Sequence, residues 1–86
     1  MELNELRQQI DVIDKELINL FCKRMEISGQ IAEYKKEHAL PVYIPEREAE
    51  KLASISLMAG SDMADYTQCL FKQIFKLSKD YQSKLI

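Results

Sequence analysis

Breaks are scarce in this sequence: 86 residues contain two Gly and two Pro, with no Trp and a single His. So few punctuating residues leave few breaks in the chain. Cysteine is equally sparse. Cys22 and Cys69 stand far apart with only His38 as an imidazole companion, which excludes a zinc spacing and a disulfide framework. They are expected to be half-buried thiols in a reducing compartment. Positive charge is not in excess: 12 Lys and Arg face 14 Asp and Glu, for a net charge of −2. That balance argues against nucleic acid as a partner, because phosphates need neutralising cations. It leaves a small anion open, since a few well-placed cations act locally. Met1 runs straight into Glu2, Asn4 and Glu5, and no long apolar run follows. No leader, membrane span or membrane partner is therefore expected, and the chain reads as cytoplasmic. It also lacks a nucleophile elbow, a glycine-rich phosphate loop and metal-ligand spacing, so no metal or cofactor is expected.

What is present favours helix. Hydrophobic residues make up 47% and charged residues 30%, and good helix formers dominate. The length allows one domain, residues 1–86, of a size that buries only about 60% of its unfolded surface. Leu3, Leu6, Ile10, Ile13, Leu17, Leu20, Arg24, Ile27, Ile31 and Tyr34 alternate by three and four, a heptad seam with one charge set into it. The spacing predicts a helix over about 3–38, halted before Pro41. Such a helix is roughly 50 Å long, whereas a compact globule of this size is about 30 Å across. The chain cannot cover it, so a second copy is expected to pair along the seam in a twofold homodimer. Residues 39–44 read as an extended loop. Pro45, Glu46 and Glu48 open a second helix over about 45–59, ended by Gly60 as a left-handed cap. A third helix over about 62–85, capped by Ser61 or Asp62, carries an apolar stripe of Met63, Leu70, Ile74, Leu77, Tyr81 and Leu85. The fold class is all-α: one very long helix, one short and one medium.

Several polar residues are poorly explained by a plain coiled coil. Arg24 occupies a seam position, where a lone polar residue also serves as a register device. Lys35 lies eleven residues on, within about 20° of the same face and about 16 Å along the axis. Two long cationic arms closing from either end leave room for a small metabolite. Arg7 is about 25 Å from Arg24 along the axis, too far to share a small ligand within one chain. It is either a solvated cation near Glu2 and Asp11 or an arm reaching a partner's cleft. Ser78 and Gln82 form an i, i+4 polar pair flanked by Phe71, Phe75, Leu77 and Tyr81. Either they serve a covered site, or Ser78 bonds its own backbone and Gln82 faces water. Arg47 and Glu48 are equally open: site residues, or a surface cation and an exposed cap.

Taken together, Leu6-Arg7 to Asp14, Arg24, Ile31 to Lys35, Pro41-Val42-Tyr43, Pro45-Glu46-Arg47-Glu48 and Phe71 to Gln82 resemble the all-helical chorismate mutases nearly end to end. The resemblance implies an intertwined homodimer in which each site borrows Arg7 from the other subunit. It further implies that chorismate is rearranged to prephenate on the route to phenylalanine and tyrosine. Arg7, Arg24, Lys35 and Ser78 would hold the two carboxylates, Glu48 the ring hydroxyl, and Lys35 with Gln82 would flank the ether oxygen. Arg47 would be a supporting cation. The family usually has Asp where this chain has Ile44, whose backbone N–H would still supply the usual contact to the substrate hydroxyl. By the same resemblance the catalytic group is Lys35, Gln82, Arg24 and Glu48. An intramolecular [3,3] rearrangement needs no nucleophile or proton transfer, which suits a chain without acid–base machinery. Two rivals stand beside this reading. An isochorismate pyruvate-lyase resembles the fold and shares a cationic cleft, though Glu48 fits the mutase pattern. A non-catalytic helical dimerisation or regulatory module would explain the seam but not the placement of Arg24, Lys35, Glu48 and Gln82.

Overall fold

The computed structural model describes residues 2–85, which form three helices: α1 Leu3–Glu37, α2 Pro45–Ala59 and α3 Ala64–Leu85. α1 and α2 both pack against α3 and not against each other. No strand occurs among the described residues, and no helix is long and apolar enough to cross a membrane.

α1 is unbroken because nothing in it breaks a helix, and Lys35 and Lys36 oppose the negative end of its dipole. It stops one residue earlier than the sequence predicts. The Leu40 N–H donates to the Lys35 carbonyl at 2.8 Å and the Ala39 N–H to the Lys36 carbonyl at 3.4 Å. This paired closure places Ala39 in the left-handed region at φ 52°. Alanine is strained there, whereas glycine is not. Ala39→Gly should therefore raise stability by about 0.5–1 kcal/mol after the added flexibility of the unfolded chain is discounted. Urea denaturation at fixed protein concentration measures it.

α2 opens with Pro45 at its first position and Ile44 as its flanking residue. Gly60, after Ala59, has φ 82° but ψ 163°. It is therefore not the left-handed cap expected, but an extended positive-φ turn that only glycine adopts readily. The Met63 N–H then donates to the Gly60 carbonyl, and the Thr67 N–H to Met63 begins the ladder of α3. Met63 thus flanks α3, in place of Ser61 or Asp62, because this turn takes up the residues between Gly60 and Met63.

The packing departs from the periodicity in one consistent way. Away from the seam, the covered side chains of α1 are Phe21, Met25, Ser28, Ala32 and Lys35, each one residue past a seam position and so about 100° around the helix. Met25 and Ser28 meet Ser78 and Gln82 of α3, and Arg24 of the seam also meets Ser78. The small residues Ser28, Gly29 and Ala32 let the axes come close: a Cβ on Gly29 would lie 3.4 Å from both Tyr81 and Leu85. α3 behaves alike. Phe75, Ser78 and Gln82 are buried, whereas Met63, Leu70, Leu77, Tyr81 and Leu85 of the expected stripe are exposed. The cause is composition. The small residues of α1 take the crossing, so its bulky aliphatic stripe is turned outward, while Tyr81 and Leu85 of α3 stay partly exposed beside Gly29.

The result is an open molecule, 54 × 26 × 15 Å with a radius of gyration of 16.0 Å, against about 12 Å for a compact chain. Residues 2–20 are exposed throughout, and among the described residues only Ala32, Ile55 and Phe75 are buried apolar residues. Cys22 and Cys69 are exposed rather than half-buried, because each lies off the packed face of its helix.

Candidate active site

Because α1 and α2 both pack on α3 but not on each other, a cleft of about 440 Å³ opens between them, floored by α3. α1 supplies Arg24, Ser28 and Lys35 to its wall; α2 supplies Arg47, Glu48 and Lys51; α3 supplies Phe75, Ser78, Lys79 and Gln82. Val42 and Ile44 of the connector close one end. Five cations and one carboxylate therefore face a single hollow in a chain whose net charge is −2. Of the residues singled out in the sequence, Arg24, Lys35, Ile44, Arg47, Glu48, Ser78 and Gln82 converge here. Arg7 does not; it lies on the exposed, unpacked half of α1.

The partners of the cations are unusual. The Arg24 Nη1 donates to the Ser78 Oγ at 2.9 Å, and the guanidinium lies 5.6 Å from the centre of the Phe75 ring. Neither partner is charged, and no carboxylate pairs with Arg24 among the described residues. Desolvation pulls its pKa below the ordinary value. A guanidinium titrates so far above neutrality that it remains charged even so. Lys35 is held the same way: its Nζ donates to the Val42 carbonyl at 2.9 Å, another neutral acceptor. The Lys35 carbonyl also accepts the Leu40 N–H, so the first half of the connector is fixed to Lys35 at Leu40 and at Val42. Two fixed cations with only neutral protein partners create a strong local demand for an anion.

On the floor, the Gln82 Nε2 donates to the Ser28 Oγ at 2.9 Å in a buried contact, leaving a second N–H on the same nitrogen. Ser78 accepts from Arg24 and its own hydroxyl points to the Met25 sulfur at 3.8 Å, a weak acceptor it can readily exchange. Both residues therefore bond across to α1, and the reading in which Ser78 bonds its own backbone and Gln82 faces water does not hold. Ile44 accepts the Arg47 and Glu48 N–H groups at 3.1 and 3.3 Å, and no backbone carbonyl among the described residues takes its own N–H. Glu48 pairs with Lys79 at 3.1 Å, with both side chains mostly covered.

Sequence reasoning missed Ser28, Lys51 and Lys79. Ser28 stands one turn after Arg24, and Lys79 lies between Ser78 and Gln82. Helical spacing from residues already singled out was the available signal.

Comparison with known proteins agrees with this geometry. A chorismate mutase type II family model matches residues 6–83. The T-protein of Enterobacter agglomerans is 51% identical over 53 residues, 62% of this chain and 14% of that protein. A bifunctional chorismate mutase/prephenate dehydratase from Buchnera aphidicola is 34% identical over 82 residues, 93% of this chain and 22% of that protein. A chorismate mutase from Methanocaldococcus jannaschii is 36% identical over 47 residues, 55% of this chain and 48% of that one. The chain spans less than half the length of each of these relatives. No solved structure matches it significantly. With the family match running through all three helices and every wall of the cationic cleft, the chain belongs to the chorismate mutase type II family.

Proposed function

We propose that this chain converts chorismate to prephenate, in the cytoplasm, as a homodimer with shared sites. The observation that carries the reading is a pair of fixed cations, Arg24 and Lys35, facing one hollow with neutral protein partners only. A dicarboxylate supplies the missing charge. Arg24 and Ser78 clamp one carboxylate in a plane, and Lys35 contributes to the other. With both held, the substrate side chain sits over its ring in a near-attack shape. As the ether C–O bond breaks, negative charge grows on the oxygen. Lys35 retains two N–H groups beyond the one given to Val42, and Gln82 one beyond that given to Ser28. Aimed at the ether oxygen, they bind the transition state more tightly than the ground state. Glu48 accepts the ring hydroxyl.

The dimer follows from what the monomer leaves uncovered. Leu3, Leu6, Ile10, Ile13, Leu17 and Leu20 are all 40–61% exposed. Each fully buried aliphatic side chain is worth about 1.5–3 kcal/mol, so covering these half-exposed six contributes on the order of 5–10 kcal/mol per chain. In an antiparallel pair about a twofold axis, Arg7 comes level with the partner's Arg24 to Lys35 stretch if the axis passes between Glu16 and Phe21. That axis lies within the exposed seam. Arg7 then completes the carboxylate clamp across the interface. Incubating purified protein with chorismate tests the function: loss of its ultraviolet absorbance and formation of prephenate are expected. Release of pyruvate from isochorismate instead would assign a lyase, and inertness toward both would leave a binding module.

A further inference from the structure

The cleft contains one ion pair between helices, and neither of its members contacts Arg24 or Lys35 in the hydrogen-bond network. The Lys79 Nζ lies 3.1 Å from the Glu48 Oε2 and 3.4 Å from Oε1, joining α3 to α2. The same ammonium sits 4.2 Å from the centre of the Tyr43 ring, in the connector. The pair is well covered, with side chains 34% and 26% exposed. The other ion pair among the described residues, Lys76–Asp80, is a surface contact within α3 at 66% and 60% exposure. Among the described residues Glu48 is the only carboxylate lining the cleft, and position 44 supplies no second acid.

We propose that Lys79 is a positioning residue: it fixes the Glu48 carboxylate as the acceptor for a substrate hydroxyl and cancels its repulsion of a dianionic ligand. This rests on the chorismate reading. The ammonium lies against both oxygens of the Glu48 carboxylate, and each oxygen keeps a further lone pair for a hydroxyl donor. Tyr43 holds the same ammonium by a cation–π contact. Without Lys79 the carboxylate would swing freely, and its unpaired charge would face the ligand's two.

The test is a double-mutant cycle with Glu48→Gln. Lys79→Met, which keeps the stem and removes the charge, should raise the KM for chorismate about five- to tenfold while kcat falls less than about threefold. Lys79→Gln should do the same, and Lys79→Arg should stay within about twofold of wild type. In the Glu48→Gln background Lys79→Met should change kcat/KM, and the Kd for prephenate, by less than about twofold. An unaffected Lys79→Met or Lys79→Gln, in an active wild-type protein, overturns the inference alone. Equal losses in both backgrounds overturn it too, because Lys79 would then act on the ligand directly. A wild-type chain inert toward chorismate overturns the functional reading and this inference with it.

Discussion

Lys35→Ala is expected to lower kcat by about a hundred- to a thousandfold while KM changes far less. The magnitude separates its two duties. As a tether, the Nζ bond to the Val42 carbonyl is worth about 1 kcal/mol of stability. As a donor aimed at a developing oxyanion, it is worth about 3–4 kcal/mol of transition-state binding. A purely structural Lys35 would therefore show a small loss in denaturation experiments and near-normal turnover. Steady-state kinetics on a folded variant decide it, and near-normal kcat would remove Lys35 from the chemistry. Gln82 gives no cause for a pH limit on the other side of the ether oxygen, since a carboxamide is neutral at every working pH.

Arg7→Ala and Arg24→Ala should each be nearly inactive alone, and their equimolar mixture should recover about a quarter of wild-type activity. Half of the randomly formed dimers are heterodimers, and one of the two pockets in each is intact. Arg24→Ala should reduce kcat and raise KM together. On the proposed reading it removes a carboxylate clamp used in both ground and transition states, and it takes away the donor to Ser78. Arg7→Ala acts at a residue that touches nothing in its own chain's cleft, so only a partner carries its effect. Absence of recovery, with subunit exchange demonstrated by labelled chains, would mean that each pocket is built from one polypeptide.

The helices were legible because their determinants are local. An unbroken heptad pattern, Pro45 at a helix start and Gly60 at a helix end depend on neighbours within a few residues, and α1 and α2 begin where these signals stand. Arg24 and Lys35 reaching one hollow was legible for the same reason, since both sit on one rigid helix. The mismatch between a helix of some fifty ångströms and so short a chain also needed only arithmetic.

Sequence alone determined the three-helix framework, the uncovered length of α1 and the cations at odds with a plain coiled coil. Tertiary structure decided which stripe of each helix is buried, and it chose Ser28 with Ala32 and Ser78 with Gln82 over the more apolar stripes beside them. It also decided that Lys79 faces Glu48 and that Gln82 reaches Ser28 across 54 positions of sequence. Periodicity reports that a helix has an apolar face. It does not report which element covers that face, because this is a competition between distant surfaces. Close helix crossing favours small side chains, and the large ones of the α1 seam are left exposed.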